Sequence, residues 1–342
     1  MSGTGAEGAL VLGVDSGGSG LRVALARAAS EGVRPLGSSS SAEAVRTGAS
    51  GIDPDHMLAQ VVPMARELLA AADADGGARG VGDGPGRGGD VRAVCVGAAG
   101  IATLGDALRE RLPAALAEEF GTLRLALAAD AVTGYAGALG EQPGAVVAAG
   151  TGLIAVGTDL RSWRRADGWG HLLGDCGSGA WIGRAGLEAA MRAYDGRAGG
   201  SAALRERAES LFGAPLSGLP GRLYPRTDRA AVLASFAPEV AACAPGDPVA
   251  EGVLAAAAGE IAETAAAVCP AERGASVALT GGLLHLGEPL LGPLERELAR
   301  RLPEARTARS AGDPLDGALL IASRLASDAL RLPADPALLS VR

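Results

Sequence analysis

The feature that most constrains this chain is a strand–glycine turn–strand pattern near its beginning, in the segment ALVLGVDSGGSGLRVALAR at residues 9–27. An almost unbroken apolar run from Leu10 to Val14 is typical of a strand buried on both faces, and apolar residues resume at Leu21. Glycines between two strands let backbone N–H groups come close to a bound anion. Asp15, at the strand end, could hold Mg²⁺ near such an anion, usually through water. An ordinary glycine-rich hairpin gives the same pattern, so this segment alone leaves both interpretations open.

The same pattern returns later in the chain. Ala145–Ala149 is an apolar strand, Gly150-Thr151-Gly152 is a turn, and an apolar run starts again at Leu153. A further short strand, 276–279, ends in Thr280-Gly281-Gly282. Two copies of one unit indicate an internal duplication, and strands alternating with helices indicate an α/β fold. None of the turns has the spacing of a Walker phosphate loop or of a dinucleotide fingerprint.

Two other segments carry residues suited to chemistry. Asp130 ends an apolar strand at 123–129 and begins a helix, so it is a candidate for proton transfer or simply a helix N-cap. The second segment, GWGHLLGDCGSGAWIG at 168–183, is dense in glycine yet holds tryptophan, histidine and aspartate. Its Asp175 could bind a ligand, cap the helix that starts near Gly177, or do both.

Composition narrows the functional class. The 342 residues suffice for two domains, and the net charge of −8 argues against nucleic-acid binding and a basic membrane-binding face. No apolar run reaches the roughly 18 residues of a membrane helix, and the beginning of the chain does not resemble a signal peptide. The widely spaced cysteines form no C-x-x-C pair, which favours free thiols and a cytoplasmic location; they are Cys95, Cys176, Cys243 and Cys269.

The pattern of segments predicts a domain organisation. Residues 1–8 are expected to be a disordered tail. The N-terminal domain is expected to comprise 9–130 and 314–342, with a flexible glycine-rich insertion at 73–90. Residues 131–313 are expected to form the C-terminal domain with helical insertions, and a last amphipathic helix is expected from 314 to 330.

Taken in order, the motifs resemble those of the BadF/BadG/BcrA/BcrD ATPase family, and within it those of N-acetylglucosamine kinases. The resemblance covers about residues 9–330, without the insertion and much of 196–270. It implies a duplicated actin-like (ribonuclease H-like) fold, with two domains around a central cleft for nucleotide and sugar. It also implies ATP and Mg²⁺ as cofactors, an amino sugar phosphorylated on its 6-hydroxyl, N-acetylglucosamine foremost, and a homodimer.

The same resemblance implies a role for each motif residue. Asp130 would be the catalytic base on the sugar hydroxyl, and Asp15 would hold the Mg²⁺ shell. Phosphate-binding positions would be Gly17, Gly18, Ser19, Gly150, Thr151 and Gly152. Adenosine would pack on Gly281 and Gly282. The sugar would contact Asp130, Asp175, Trp169, Gly170 and His171, with Thr47 or Ser50 replacing an Asn that relatives often use.

Departures from the family pattern leave alternatives open. Cys176 stands where Glu is usual, Leu153 replaces a Ser, and Arg46 raises the possibility of an anionic substrate. Glucosamine, N-acetylmuramic acid or another hexose are therefore alternative substrates. An ATPase activator of a dehydratase or reductase and a catalytically silent sugar sensor are alternatives of other classes. Sugar kinases of the ROK type are disfavoured because their zinc-binding cysteine cluster is missing.

Overall fold

The computed structural model describes residues 8–18, 20–29, 32–48, 51–74, 91–122 and 124–342. The chain forms two compact units. Unit 1 comprises Met1–Gln142, Asp159–Trp163 and Arg309–Arg342, and unit 2 comprises Pro143–Thr158 and Arg164–Ala308. Of the expected tail and insertion, residues 1–7 and 75–90 lie outside the described residues, as do the predicted site residues Ser19 and Ser50.

The strands alternate with helices, as an α/β chain requires. The strands are β1 (Leu10–Gly17), β2 (Gly20–Ala29), β3 (Gly32–Ser41), β4 (Thr47–Gly48), β5 (Gly51–Ile52), β6 (Val91–Ala98), β7 (Arg124–Ala129), β8 (Gly144–Ala149), β9 (Leu153–Thr158), β10 (Trp163–Asp167), β11 (Ser276–Thr280), β12 (Arg306–Ala308) and β13 (Leu339–Val341).

The longer helices lie between these strands, with a helical insertion between β10 and β11. The helices are α1 (Pro54–Ala74), α2 (Ile101–Leu104), α3 (Asp106–Phe120), α4 (Asp130–Leu139), α5 (Gly179–Tyr194), α6 (Ala202–Phe212), α7 (Leu219–Leu223), α8 (Arg229–Ala234), α9 (Ala237–Cys243), α10 (Pro248–Val268), α11 (Glu288–Arg301) and α12 (Pro314–Ala326). Short 3-10 helices span Leu216–Gly218 and Gly282–Leu286. No helix in the described part of the chain is both long and apolar enough to span a bilayer.

The two large sheets repeat one strand order, which confirms the internal duplication. In the first sheet, ordered β13-β7-β6-β1-β2-β3, β1 pairs antiparallel with β2 and parallel with β6. In the second sheet, ordered β10-β9-β8-β11-β12, β8 pairs antiparallel with β9 and parallel with β11. β1 and β8 therefore hold equivalent central positions, and a glycine turn follows each. The mixed α/β fold class expected from the sequence is confirmed.

Small residues let the helices of unit 1 pack closely. A Cβ at Gly137 of α4 would lie 2.0 Å from the Asp313 carbonyl oxygen, and one at Gly317 of α12 would lie 1.9 Å from that of Thr133. Helix α12 also packs along β1 and β6. This contact positions Asp313, which caps α12 by accepting hydrogen bonds from the backbone N–H groups of Leu315 and Asp316.

Unit 2 is built around alanine-rich helices. Buried alanines of α10 pack with the apolar residues of β8, β9 and α5 in one continuous core. A Cβ at Gly183 of α5 would lie 1.8 Å from the Leu233 carbonyl oxygen, so α5 and α8 pack backbone to backbone. The abundance of small residues therefore sets the spacing of these helices.

Three boundaries differ from the sequence expectations. Helix α4 belongs to unit 1 because it packs on α12. The sequence analysis instead expects the domain boundary at residue 130. The last helix ends at Ala326 rather than 330, since Asp328 takes a left-handed backbone with φ of 56°. Helix α5 is capped by Ser178, whose hydroxyl accepts from Trp181 N–H, and not by Asp175.

Candidate functional site

The first glycine turn lies at the carboxyl end of β1. Gly17 pairs with Gly20 across the turn, and a Cβ added at Gly17 or Gly18 would meet nothing within 4 Å. Gly18 is also exposed to solvent. The turn thus offers an uncrowded backbone, which is what close approach to a phosphate group needs.

Asp15 at the end of β1 is paired with an arginine of β2. Asp15 and Arg22 lie directly opposite each other on β1 and β2. Arg22 donates from Nε and Nη2 to Asp15 Oδ2, at 3.1 and 2.6 Å, and from Nη1 to Asp313 Oδ2 at 2.6 Å. One guanidinium group therefore bridges two carboxylates beside the glycine turn.

The ion pairs of this bridge shift the pKa values of Arg22 and Asp313. Burial raises the pKa of Asp313, but hydrogen bonds from Arg22 and from backbone N–H groups outweigh burial and lower it overall. Burial lowers the pKa of Arg22, but its bonds to Asp15 and Asp313 raise it overall. The Arg22 guanidinium and the Asp313 carboxylate thus stabilise each other's charged form.

The donor set beside the turn fits a magnesium ion that arrives with a nucleotide. Asp15 Oδ1 takes no part in the bridge to Arg22. Mg²⁺ usually keeps several waters and needs only one or two carboxylates when phosphates supply other ligands. Within residues 8–18, 20–29, 32–48, 51–74, 91–122 and 124–342, no group of three or more His, Cys, Asp or Glu residues could hold a metal by itself.

Asp130 lies at the same sheet edge as the first glycine turn. The register pairs Asp15 of β1 with Gly97 of β6, and Gly97 with Ala128 of β7. Asp130 follows β7 directly and is the first residue of α4. Two strand spacings, about 10 Å, therefore separate the ends of β1 and β7.

The local structure around Asp130 holds its carboxylate at the helix start. Its Oδ1 accepts a hydrogen bond from Ala131 N–H at 2.9 Å, and its carbonyl accepts one from the Thr133 hydroxyl at 3.0 Å. The N-cap position itself belongs to Ala129, whose side chain cannot cap. Asp130 is therefore not the N-cap of α4, although its side chain accepts a hydrogen bond from one N–H group of the first turn.

The second glycine turn, between β8 and β9, is braced by helix α5. Gly150 N–H donates to the Gly152 carbonyl at 2.9 Å, which closes the turn. The first N–H groups of α5 then donate to the turn, from Gly179 to the Gly150 carbonyl at 2.8 Å and from Ala180 to the Thr151 carbonyl at 3.0 Å. The position of this turn is thus tied to the start of α5.

Asp175 lies directly against the second glycine turn. A Cβ at Gly152 would be 2.6 Å from Asp175 Oδ2, so glycine is required for this contact. Asp175 is buried and adopts a positive φ of 54°, and its Oδ1 accepts from Gly170 N–H at 3.2 Å. Burial raises its pKa, and hydrogen bonds from Gly170 and Leu153 N–H groups only partly oppose this effect.

Asp167 organises the loop that carries Asp175, and sequence reasoning missed it. Its two carboxylate oxygens accept from Asp175 N–H at 2.6 Å and from Cys176 N–H at 2.8 Å. Arg165 reinforces the loop by donating to the Asp167 and Gly168 carbonyls. The available signal was an acid directly before the Gly-Trp-Gly motif, where a tight loop needs a carboxylate to accept its N–H groups.

The exposed part of this loop carries the other predicted sugar residues. Trp169 is 62% exposed, and the Arg165 guanidinium lies 4.5 Å from its ring centroid. His171 is half-buried in the same loop. Burial, and secondarily the Asp167 carboxylate, raise the pKa of the Cys176 thiol, which fits an inert thiol rather than a nucleophile.

The third glycine turn lies beside the second. Gly281 follows β11, has φ of 99°, and would place a Cβ 2.2 Å from the Ala149 carbonyl oxygen, one residue before Gly150. A Cβ at Gly282 would meet nothing within 4 Å. The structure therefore brings Gly150, Gly281 and Asp175 together in unit 2.

Thr47 lies in a short hairpin of unit 1. It is exposed and pairs with Ile52. His56 holds the adjoining segment, since its Nδ1 accepts from Arg46 N–H at 3.1 Å and its Nε2 lies 3.1 Å from Glu43. The sugar-binding role of Thr47 stays a prediction.

The duplicated sheet order, with a glycine turn after each central strand, defines an α/β protein of the actin-like class. The chain belongs to the BadF/BadG/BcrA/BcrD ATPase family, whose family model matches residues 12–322. The resemblance noted from the sequence motifs is confirmed by this match.

Individual relatives add detail. A Chromobacterium violaceum structure, provisionally named as an N-acetylglucosamine kinase, is 29% identical with a TM-score of 0.64, covering 91% of this chain and 98% of its own. A Porphyromonas gingivalis structure with the same provisional name is 17% identical with a TM-score of 0.60, over 90% and 97% of the two chains, and supports the fold alone. An N-acetylmuramic acid/N-acetylglucosamine kinase of Clostridium acetobutylicum is 31% identical over 110 residues, which span only 32% of this chain and 35% of that relative.

Proposed function

We propose that this protein is an ATP-dependent kinase that phosphorylates the 6-hydroxyl of an amino sugar and converts N-acetylglucosamine to N-acetylglucosamine 6-phosphate. The observation that carries the proposal is the position of Asp130, at the carboxyl end of β7 and at the same sheet edge as the first glycine turn. Ligands of α/β sheets bind at this edge. Phosphoryl transfer depends on positioning and charge neutralisation, which a carboxylate beside a phosphate-binding turn can provide.

In this proposal Asp130 orients the 6-hydroxyl and accepts its proton as the oxygen attacks the terminal phosphorus of ATP, while the bond from that phosphorus to ADP breaks and ADP leaves. The Ala131 N–H holds one carboxylate oxygen and so limits rotation of the side chain. A positioned general base typically contributes roughly 10²–10⁴-fold to the rate. The proposal assigns Asp130 that role.

The glycine turns are proposed to bind the nucleotide. The open backbone of Gly17 and Gly18, with Ser19, would contact phosphate oxygens in unit 1, and Gly150-Thr151-Gly152 would do so in unit 2. Gly281 and Gly282 would form the adenosine surface. Asp15 would hold the water shell of Mg²⁺, which neutralises phosphate charge when it is bound with the nucleotide.

The loop from Trp169 to Asp175 is proposed to bind the sugar. Asp175 would accept hydrogen bonds from ring hydroxyls, and Trp169, Gly170 and His171 would shape the pocket. The names of the Chromobacterium and Clostridium relatives support an N-acetylated amino sugar. Glucosamine, N-acetylmuramic acid and other hexoses remain alternative substrates, because Cys176 stands where the family resemblance implies a Glu beside Asp175.

The ATPase-activator alternative has less structural support. Activators of that kind share an iron–sulfur cluster held by cysteine thiolates of two subunits. Cys95 is fully buried in β6, where burial raises the pKa of its thiol, and burial also raises the pKa of the Cys176 thiol, whereas a cluster ligand must be a thiolate. A brown, oxygen-sensitive dimer on purification would favour the activator instead.

The proposed activity is tested by measuring ADP release with N-acetylglucosamine, glucosamine, N-acetylmuramic acid and glucose. We expect the highest kcat/KM for N-acetylglucosamine and a product phosphorylated at the 6-position by NMR. A sugar that binds without ADP release would support a sensor. ADP release that no sugar stimulates would contradict the kinase proposal.

A further inference from the structure

Unit 2 contains a cavity of about 560 Å³ that none of the glycine turns uses. Its walls are apolar side chains of three helices, namely Leu187 and Met191 of α5, Leu219 and Leu223 of α7, and Leu233 of α8. Leu187, Leu219 and Leu233 are buried, so the walls are fixed parts of the core. An apolar cavity of this size is in the range of small-molecule sites, about 300–1,000 Å³.

The cavity opens beside the loop that carries Asp175. His171 and Leu172 of that loop line it, and His171 lies close enough to Asp175 to interact electrostatically with the carboxyl group. Leu172 is 76% exposed and Tyr224, from the other side, is 72% exposed. The mouth therefore presents apolar surface next to the candidate sugar-binding loop.

The charged residues at the cavity leave positive charge at its mouth. Glu188 accepts hydrogen bonds from Arg192, at 3.2 and 3.3 Å, so its charge is already matched. Arg229 donates to the Tyr224 carbonyl, and within the described part of the chain it forms no ion pair with a carboxylate. Arg184 is exposed and forms no ion pair with any residue of the described ranges. An anionic group in the cavity mouth would therefore meet an unmatched guanidinium group.

We propose that this cavity is a second subsite of the substrate, which takes an apolar acyl chain on the amino group of the sugar, with a carboxylate at the end of the chain near Arg184. This inference rests on the proposed amino-sugar kinase function and deepens it, because it extends the N-acyl substituents that the site accepts beyond acetyl. The cavity is much larger than an acetyl group, its walls are apolar, and the unmatched Arg184 complements a carboxylate.

Three synthetic sugars test the subsite, namely N-acetyl-, N-hexanoyl- and N-adipoylglucosamine, with dissociation constants measured by calorimetry. N-hexanoyl- and N-adipoylglucosamine share a six-carbon chain, and only the latter ends in a carboxylate. We expect N-hexanoylglucosamine to bind at least about tenfold more tightly than the N-acetyl sugar, since it buries additional methylene groups. N-adipoylglucosamine should bind about threefold more tightly than N-hexanoylglucosamine. The Arg184→Met substitution should abolish this difference, and high salt should weaken it.

Met191→Trp fills the cavity from α5, and Leu223→Trp fills it from α7. Each should reduce the preference for N-hexanoyl over N-acetyl to about twofold or less. The control is Leu211→Trp, because Leu211 is an exposed leucine on α6 that does not line the cavity. It should leave the preference unchanged. Thermal melts establish whether each variant is folded. Because there are two filling variants, the test still stands if one of them does not fold.

The outcomes separate this inference from the kinase proposal. Equal binding of the three sugars, or an unchanged preference in both filling variants, overturns the subsite and leaves the kinase activity standing. A change of oligomeric state in the filling variants, seen by light scattering, also overturns it and makes the cavity a contact between two copies. Chain-length-dependent binding without ADP release supports the subsite and contradicts the kinase.

Discussion

The glycine turns after β1 and β8 share a backbone pattern but not an electrostatic environment. In unit 1, Asp15 belongs to the strand itself, two residues before Gly17, and it is paired with Arg22. In unit 2 the equivalent position, two residues before Gly150, is Ala148. The nearby carboxyl group comes instead from Asp175, which contacts Gly152 and accepts backbone N–H bonds.

This difference shows how a duplicated scaffold can acquire two chemical roles. The backbone geometry is set by the sheet and by glycines, so it is retained in both copies. The charge environment is set by side chains that lie elsewhere, on β2 and α12 in unit 1 and on the loop after β10 in unit 2. We infer that the edge of unit 1 is suited to metal and proton chemistry. In unit 2 the Asp175 carboxyl group, beside the proposed phosphate-binding turn, is suited to accepting hydrogen bonds from a neutral polar ligand such as a sugar hydroxyl.

The largest effect is expected from exchanging the carboxylates of the two edges for amides. Asp130→Asn should lower kcat by at least roughly 10²-fold with little change in the KM for ATP, because the proton acceptor is lost. Asp175→Asn should mainly raise the KM for the sugar, by about tenfold, because a hydrogen bond from a sugar hydroxyl to a charged group is weakened. Steady-state kinetics with ADP detection measures both.

Arg66→Met serves as the matched control for these kinetics, because Arg66 forms an exposed ion pair with Glu119, remote in sequence from the turns. Its kinetic constants should equal those of the wild type. Near-normal turnover of Asp130→Asn would remove this residue from the mechanism. Equal effects of the two amide variants on kcat would contradict the division of roles between the units.

A large effect on stability is expected at the third turn. Gly281→Ala should lower the free energy of unfolding by about 2 kcal/mol or more, because its positive φ is unfavourable for alanine and its Cβ would meet the Ala149 carbonyl. Gly282→Ala is the matched control, since its Cβ enters open space. Urea unfolding followed by circular dichroism compares the two. Equal losses would show that the close contact of Gly281 with β8 does not constrain the turn.

The sequence predicts the parts of this molecule that depend on local pattern. The strands and turns at Gly17 and Gly150 are recognisable because buried strands are apolar and turns need glycine, and the structure confirms them. The Arg22 bridge to Asp313 joins residues 291 positions apart, so no local pattern reveals it. Asp167 was missed for a related reason, since it acts by accepting N–H groups eight and nine positions ahead.

The two environments should also give opposite pH dependence of stability. Burial raises the pKa of Asp175 above its unfolded value, so its favourable contribution is complete below about pH 4 and is lost as the pH rises through the folded pKa. The pKa of Asp313 is lowered, so its contribution is present above about pH 4 and is lost as the pH falls through the folded pKa.

Melting curves between pH 3 and pH 7 test this contrast. The Tm of Asp175→Asn, relative to that of the wild type, should rise by about 2 °C between pH 4 and pH 7. The reason is that the variant lacks a carboxyl group that is costly to ionise in the folded state. The Tm of Asp313→Asn, relative to that of the wild type, should fall by about 2 °C between pH 3 and pH 7. Parallel pH profiles for the two variants would contradict the contrast between the units.

The smallest effect is expected from the arginine that distinguishes the unit 1 turn. Arg22→Met keeps an apolar stem and removes the bridge between Asp15 and Asp313, so Tm should fall by about 1–2 °C at low salt. Arg66→Met breaks a more exposed pair and should cost less. The difference between the two variants should shrink at 1 M salt, where charges are screened within about 3 Å. If Arg22→Met and Arg66→Met melted together at low salt, the Arg22 bridge would add nothing beyond a surface pair, and the electrostatic distinction between the two turns would rest on Asp175 alone.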